Sequence, residues 1–264
     1  MPEHPLVFLK LGGSLITNKF KAETVYTDVI QSCLTQIRRW KLGNPESSLI
    51  LGHGSGSFGH NAAKSYRTRE GVSTKQDWYR YTAVWQSARR LNNIIIEACN
   101  LSDIPVVDFP ISAAAITNHR AIETWDIEAL KKTLKQGVVP VVHGDVCIDR
   151  TLGGTILSTE EIFAYLAGQL KPSRILLASI EQGVFADYPA NQQLLTHIPV
   201  ESDPSTYLQG SNAQDVTGGM AAKVALSQAI AKANPSLEIR IFSGLENDAI
   251  YRALSGESLG TCIF

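Results

Sequence analysis

Three glycine-rich segments follow short apolar runs and combine glycine with serine or a charged residue. In chain order they are Lys10-Leu11-Gly12-Gly13-Ser14, residues 53–60 (HGSGSFGH) and His143-Gly144-Asp145. Because glycine lacks a Cβ, its backbone N–H groups can approach phosphate oxygens closely and its φ can be positive. The carboxyl ends of parallel strands share one edge of a sheet, where ligands of α/β proteins collect. Three such loops therefore predict a polyanionic ligand that lies across this edge.

Two lysines could meet the charge of such a ligand. Lys10 lies within an apolar run, where an unpaired ammonium would cost several kcal/mol. It is either an edge-strand lysine whose side chain extends to water or a lysine held at the crevice for phosphate. Lys19 follows nine residues later and, taken alone, is typical of a solvated loop.

A fourth glycine cluster, residues 215–219 (DVTGG), directly precedes a predicted helix. Backbone N–H groups at a helix N-terminus bind phosphate well. Lys223 lies one turn into that helix and, taken alone, is typical of a solvated helix residue, although its offset from Gly218 and Gly219 suits a phosphate contact.

Other chemistry-bearing motifs are weak or missing. The sequence contains no GxxxxGK[ST] pattern, which argues against a P-loop kinase. GxGxxG occurs once, at 54–59, with Asp77 as a possible ribose ligand, so an NAD-dependent oxidoreductase is a weaker alternative. No HExxH or other His/Asp metal spacing occurs, and His53, His60 and His143 are too far apart in sequence to form a motif. We therefore predict no metal site built by the protein alone.

Apolar runs alternate with amphipathic segments along the whole chain. Strands are predicted at 6–11, 47–52, 104–109, 138–143, 174–179 and 238–243. Helices are predicted at 28–41, 76–99, 126–136, 219–233 and 247–254. A further helix is predicted to begin directly after a capping box formed by Ser158 and Glu161. Thr27 is the predicted cap of the first helix and Asp126 the predicted N-cap of the third. The loop-like segment 186–216 is expected to carry a short hairpin. This order predicts an α/β protein, a three-layer αβα sandwich with a mainly parallel open sheet, in a single domain over residues 1–264.

Composition excludes several classes of protein. The 24 Lys and Arg residues balance 25 Asp and Glu residues, so the chain lacks the charge of a nucleic-acid binder. No apolar run approaches the roughly 18–20 residues that span a bilayer, and no secretory signal is recognisable, which favours the cytoplasm. The four scattered cysteines are interpreted as reduced core thiols.

Five motifs together resemble those of isopentenyl phosphate kinases in the amino acid kinase superfamily. They are LKLGGSLIT (9–17), HGSGSFGH (53–60), VPVVHGDV (139–146), LGGTILS (152–158) and DVTGGMAAK (215–223). The match runs in order along nearly the whole chain. It implies ATP-dependent phosphorylation of isopentenyl phosphate to isopentenyl diphosphate by direct in-line transfer, with Mg²⁺, in a homodimer that acts in isoprenoid biosynthesis.

The resemblance also implies residue roles. The N-terminal half would bind the acceptor and the C-terminal half the nucleotide. Lys10 would bind ATP phosphates, Lys19 would stabilise the transferring phosphoryl group, and Asp145 would orient the lysines. Acceptor contacts would come from Ser55, Gly59, His60 and Thr159, and nucleotide contacts from Gly12, Gly13, Ser14, Gly56, Gly218, Gly219 and Lys223. Such a set makes chemical sense because phosphoryl transfer needs positioning and charge neutralisation more than a covalent nucleophile.

Two motifs depart from the family's pattern. Glu160 stands where the family has an aspartate that helps to order the catalytic lysine, and Ile180 and Gln182 replace two acidic positions near the nucleotide. Glu181 lies between those two positions. The alternatives are therefore a kinase for another small acceptor, or a weakened member of the fold that binds nucleotide or phosphate as a sensor or storage protein.

Overall fold

The computed structural model describes residues 5–59, 66–187, 190–203 and 219–264. The strands are β1 Leu6–Leu11, β2 Ser48–His53, β3 Val106–Asp108, β4 Ala115–Asn118, β5 Ala121–Trp125, β6 Val139–His143, β7 Asp145–Asp149, β8 Gly153–Leu157, β9 Arg174–Ser179, β10 Val184–Phe185, β11 Leu194–Leu195, β12 His197–Ile198, β13 Glu238–Ser243 and β14 Thr261–Ile263. The helices are α1 Gly13–Ile16, α2 Thr27–Gly43, α3 Lys75–Leu101, α4 Ile111–Ala114, α5 Glu128–Lys135, α6 Thr159–Leu170, α7 Gly219–Ala233 and α8 Ala249–Leu254.

An eight-stranded sheet forms the centre, in the order β12-β14-β13-β9-β1-β2-β6-β3. Its pairings are parallel except for that between β13 and β14. Each of the six predicted strands is present in this sheet. Five of them are interior strands with mostly buried residues, as expected for a parallel sheet covered on both faces, whereas β3 lies at an edge with Val107 44% exposed.

The two faces of the sheet are covered by separate apolar clusters. On β1, Val7, Leu9 and Leu11 belong to the cluster with the buried side chains of α2, α3 and α8. Phe8 belongs to the cluster on the opposite face, with the buried side chains of α6 and α7. Because side chains alternate along a strand, Lys10 shares the face of Phe8. The predicted αβα sandwich is confirmed.

A second sheet, in the order β5-β4-β7-β8, was missing from the prediction. Its strands are short, and most side chains of β5 are exposed. The sequence of this sheet therefore lacks the continuous apolar runs that predict buried strands. Asp149 at the end of β7 organises this sheet. Its carboxylate accepts backbone N–H groups from His119, Arg120, Thr151 and Leu152 at 2.8–3.2 Å.

The predicted helices are present with boundaries within two residues of those predicted, but two predicted caps are wrong. Thr27 is the first residue of α2 rather than its cap, and Tyr26 at the cap position makes no side-chain hydrogen bond. Helix α5 begins at Glu128 with Ile127 at its cap position; the carboxylate of Asp126 still accepts the Glu128 N–H at 2.9 Å. The predicted capping box of Ser158 and Glu161 at the start of α6 is confirmed.

Smaller predictions have mixed outcomes. An antiparallel pair forms between β10 and β11, of which only β11 lies within the segment where a hairpin was expected. All four cysteines are buried and free, as predicted. Within the described part of the chain, no helix is both long and apolar enough to span a bilayer.

Candidate functional site

The first two glycine loops interlock at the carboxyl ends of β1 and β2. A Cβ on Gly13 would lie 2.5 Å from the Gly56 nitrogen, and one on Gly54 would lie 2.8 Å from the Gly13 nitrogen. These distances are shorter than any side chain tolerates, so both loops require glycine. The sequence prediction that these loops meet at one crevice is thus confirmed for its first two members.

Gly56 occupies the left-handed region, with φ of +48°, and a Cβ there would lie 2.0 Å from the Thr17 hydroxyl oxygen. That hydroxyl accepts the Ser57 N–H at 2.9 Å. The loop becomes helical at Gly56, and the Phe58 and Gly59 N–H groups donate to the Ser55 carbonyl. The glycine positions of this segment, Gly54, Gly56 and Gly59, therefore leave no room for a side chain.

Gly13 and Ser14 open helix α1 directly after Gly12. Gly12 is anchored by its N–H, which donates to the Ala178 carbonyl of β9 at 2.9 Å. N–H groups of a first helical turn have no acceptor inside their own helix, so those of Gly13 and Ser14 suit an anionic ligand.

Lys10 is paired with Glu160 at the heart of the crevice. Its Nζ lies 2.5 Å from Glu160 Oε1, and each side chain is 11% exposed. Burial opposes ionisation of Glu160, but the charges of Lys10 and then Lys223 lower its pKa below the usual range. The glutamate that replaces the family's aspartate therefore reaches the lysine and holds it.

Lys223, on the second turn of α7, contributes to the same electrostatic cluster. Gly219 begins that helix with φ of +64°. The other members of this glycine cluster, including Gly218, lie outside the described residues, as does His60. The structure therefore places Lys10, Glu160 and Lys223 together and leaves the predicted roles of Gly218 and His60 as predictions.

Asp145 follows β6 and is 2% exposed. Its carboxylate accepts the Ser112 hydroxyl at 2.6 Å and the Val146 N–H at 2.8 Å. Burial raises its pKa. Since the Lys10 ammonium pairs with Glu160, the predicted orientation of the lysines by Asp145 stays a prediction, and the observed partner of Lys10 is the glutamate.

Thr159 links the start of α6 to β2. Its hydroxyl donates to the His53 carbonyl at 2.6 Å, and its methyl group fills the space beside Gly52. This hydroxyl proton is engaged with the backbone, so the role of Thr159 toward substrate also stays a prediction. Ser55 and Gly59 lie in the loop described above, with Ser55 partly exposed.

The loop of residues 18–25, named here the Lys19 loop, leaves Lys19 exposed. Its base is closed by a bridge between Thr17 and Val25 and by the Asn18 N–H, which donates to the Thr24 carbonyl at 2.8 Å. The Thr24 N–H donates to the Ser57 hydroxyl at 3.4 Å. The loop is therefore attached to the HGSGSFGH segment, as a shared site requires.

Sequence reasoning missed a buried histidine pair. His53 and His143 stack with ring centroids 5.2 Å apart, because β2 and β6 pair with these two residues in register. Their separation in sequence was thus a wrong guide to their separation in space. Burial, and secondarily the charge of His143, lowers the pKa of His53 to about 3, so that ring is neutral. Its Nε2 lies 3.0 Å from Asn92 Oδ1 on α3.

A cavity of about 280 Å³ lies on the first turns of α3. It is lined by Tyr66, Gln76, Tyr79, Arg80 and Ala83. Among the described residues, no group of three or more His, Cys, Asp or Glu side chains is arranged to hold a metal ion.

Comparison with known proteins identifies the family. A sequence model of the amino acid kinase family matches residues 5–243. The chain belongs to the amino acid kinase family.

Relatives within this family match over their full length. The chain is 34% identical to isopentenyl phosphate kinase of Methanocaldococcus jannaschii, with 97% of each chain covered. It is 30% identical to the enzyme of the same name from Methanothermobacter thermautotrophicus, covering 96% of this chain and 97% of the relative. A crystal structure of isopentenyl phosphate kinase superimposes with a TM-score of 0.83 at 28% identity, covering 98% of this chain and all of that one. The resemblance inferred from the five motifs is confirmed.

Proposed function

We propose that this chain transfers the γ-phosphoryl group of ATP to isopentenyl phosphate, forming isopentenyl diphosphate and ADP. The observation that carries the proposal is the buried Lys10 ammonium, held by Glu160 at the point where two interlocked glycine loops meet. Glu160 offsets the cost of burying this charge, and an ammonium group beside loops that expose backbone N–H groups suits a nucleotide phosphate. Full-length relatives named for this activity support the acceptor.

The transfer is proposed to be direct and in line. An oxygen of the acceptor phosphate attacks the γ-phosphorus, the bond to the bridging oxygen breaks, and ADP leaves with the electron pair. Because the attacking oxygen already carries negative charge, no side chain has to remove a proton. Lys10 then binds ATP phosphates, and Lys19 meets the charge that develops on the transferring group.

The remaining contacts with each substrate are proposed to come from both halves of the chain. Gly13, Ser14 and Gly56 donate backbone N–H groups to phosphates, and Gly218, Gly219 and Lys223 hold the nucleotide. The N–H of Gly12 donates to the Ala178 carbonyl, so the predicted phosphate contact of Gly12 does not come from this group. His60, with Ser55, Gly59 and Thr159, holds the acceptor phosphate. The cavity on α3 is proposed to take the alkyl chain, since the rings of Tyr66 and Tyr79 line it.

Mg²⁺ would arrive with ATP. It prefers phosphate and water oxygens and needs at most one or two protein carboxylates, which fits a site whose buried carboxylate, Glu160, is already paired. When bound, it neutralises charge on the phosphates. No protein-built metal cage is required.

A cytoplasmic homodimer is proposed for the assembly. Helix α3 exposes three aromatic side chains, Trp78, Tyr79 and Trp85, of which Tyr79 is 60% exposed. Large apolar side chains on one solvent-facing helix are typical of an interface between copies of a chain.

The second candidate is a weakened member that binds nucleotide without turnover. It is favoured by Ile180 and Gln182, which follow β9 directly beside Gly12 and supply no carboxylate there. ADP release in the presence of isopentenyl phosphate, ATP and Mg²⁺ separates the two. We expect ADP release that depends on the acceptor. Saturable ATP binding without acceptor-dependent ADP release would support the sensor instead, and ADP release with other small phosphates or carboxylates alone would reassign the acceptor.

A further inference from the structure

The Lys19 loop is secured at its base, and Glu23, directly before the base residue Thr24, provides a further attachment. Glu23, on the descending side of the loop, reaches helix α3 and contacts two residues there. The Arg90 Nε donates to Glu23 Oε2 at 3.0 Å, and a second guanidinium nitrogen donates to Oε1. The Ser87 hydroxyl lies 2.7 Å from the same Oε1. Ser87 and Arg90 are three residues apart and therefore share one face of the helix.

This attachment also includes the HGSGSFGH segment. Ser87 is only 3% exposed, and its hydroxyl contacts the Phe58 carbonyl oxygen as well as Glu23. One buried hydroxyl therefore lies between the Lys19 loop, the phosphate-binding segment and α3. A displacement of any one of these three elements would break a contact with another.

Glu23 adopts a backbone conformation that a non-glycine residue rarely takes, with φ of +47°. The conformation is retained because the surrounding contacts determine it. The Arg90 hydrogen bonds, against the opposing effect of burial, lower the pKa of Glu23, which is therefore ionised near neutral pH. An ordinary exposed ion pair contributes little, but this pair is bidentate and is joined to a buried hydroxyl.

We propose that Glu23, held by Ser87 and Arg90, is a positioning residue that fixes Lys19 where the transferring phosphoryl group passes. The proposal rests on the proposed function, in which Lys19 acts on that group. Glu23 itself touches neither substrate. Its effect reaches the reaction through the conformation of a loop of eight residues.

The test removes the contact from each side with Glu23→Gln and Arg90→Gln. The matched control is Glu123→Gln, because Glu123 forms a surface pair with Arg150 at 2.5 Å in the second sheet. Circular dichroism and thermal melting verify that each variant is folded. We expect Glu23→Gln and Arg90→Gln to lower kcat by about 10- to 100-fold, since small misplacements of a reacting group have effects of this order. Both KM values should stay within about twofold of the parent.

Two further measurements separate positioning from a general structural role. In a Lys19→Ala background, Glu23→Gln should produce no additional loss of kcat, since the group that it positions is absent. Trypsin should cleave after Lys19 or Lys21 faster in Glu23→Gln than in the parent, as followed by mass spectrometry, because both lysines lie in the released loop.

The outcomes distinguish this inference from the proposed function. A kcat for Glu23→Gln equal to that of Glu123→Gln, or an equal fractional loss with and without Lys19, overturns the positioning role. If the parent itself shows no acceptor-dependent turnover, the proposed function fails, and the positioning role fails with it. The trypsin comparison still tests the contact alone: unchanged cleavage at Lys19 and Lys21 would show that Glu23 does not hold the loop.

Discussion

Lys10 and Lys19 carry the same ammonium group but are held in opposite ways. Lys10 lies in the central strand β1 with its side chain 11% exposed, and one carboxylate, Glu160, pairs with it. Lys19 is exposed, and contacts made by other residues of its loop determine its place. The position of the buried ammonium group is thus fixed by its own carboxylate partner, whereas the position of the exposed one is fixed by the backbone of its loop.

The difference suits two tasks. Lys10 is paired with Glu160 before substrate binds, and this pairing offsets the free-energy cost of burying the ammonium group. Lys10 can then interact with the negative charge that ATP already carries in the ground state. A lysine that pairs with no carboxylate among the described residues can give its full interaction to charge that appears only in the transition state.

The largest effect is expected for Lys10→Ala. It would leave only the charge of Lys223 beside the buried Glu160, and loss of one member of a buried pair typically costs about 3–5 kcal/mol of stability. It would also raise the KM for ATP. Urea unfolding and steady-state kinetics measure both. The double variant Lys10→Ala/Glu160→Ala is the matched control: it should regain much of the stability but none of the ATP affinity. Full stability of Lys10→Ala alone would show that the pair is not the constraint described here.

Lys19→Ala should lower kcat by about 10²–10³-fold, equivalent to about 3–4 kcal/mol at the transition state. The KM for each substrate and the free energy of unfolding should change little, because the side chain is exposed. Steady-state kinetics at saturating ATP provides the measurement. A kcat within about twofold of the parent would mean that Lys19 is an ordinary solvated lysine and would remove one half of the comparison.

His60→Ala extends the comparison to the acceptor. A charge-assisted hydrogen bond of roughly 1.5–3 kcal/mol predicts about a 10- to 150-fold loss in acceptor binding, with ATP binding nearly unchanged. The ratio of the two KM changes is the quantity to determine. Equal changes in both KM values, or none, would argue against a contact between His60 and the acceptor phosphate.

The smallest effect concerns pH. Burial opposes ionisation of Glu160, but the charge of Lys10 gives it a folded-state pKa below the ordinary value of about 4.3. The ionised carboxylate therefore contributes stability that is complete above the unfolded-state pKa and is lost as pH falls through the lower folded-state pKa. The difference in unfolding free energy between the parent and Glu160→Gln should shrink below about pH 4.3. A difference that stays constant down to pH 2 would contradict this.

The sequence predicted the central sheet because its strands are continuous in Val, Ile and Leu. It also predicted the meeting of the first two glycine loops, since Gly13 and Gly56 follow neighbouring strands. The sequence did not predict the second sheet, because hydrogen bonds from several backbone N–H groups to the Asp149 carboxylate stabilise it where buried apolar residues stabilise the central sheet. A carboxylate that gathers N–H groups from two turns leaves no periodic signal.

Contacts between residues distant in sequence were equally hidden. The stacked pair of His53 and His143 depends on the register of β2 with β6, which composition does not reveal. Glu23 and Arg90 are 67 positions apart, and their pairing depends on where α3 passes the Lys19 loop. Pairing of Lys10 with Glu160 was foreseeable only from the family motif, because a glutamate at a helix start is ordinarily a capping residue.

The proposed reaction forms a new phosphoanhydride bond on isopentenyl phosphate. Phosphorus-31 NMR of the chain with ATP, Mg²⁺ and isopentenyl phosphate tests it most directly, because the monoester and the diphosphate give separate resonances. The account predicts that the monoester resonance declines while the two coupled resonances of isopentenyl diphosphate grow, in step with an equal amount of ADP. An unchanged monoester resonance, or release of inorganic phosphate with ADP in place of the diphosphate, would contradict it.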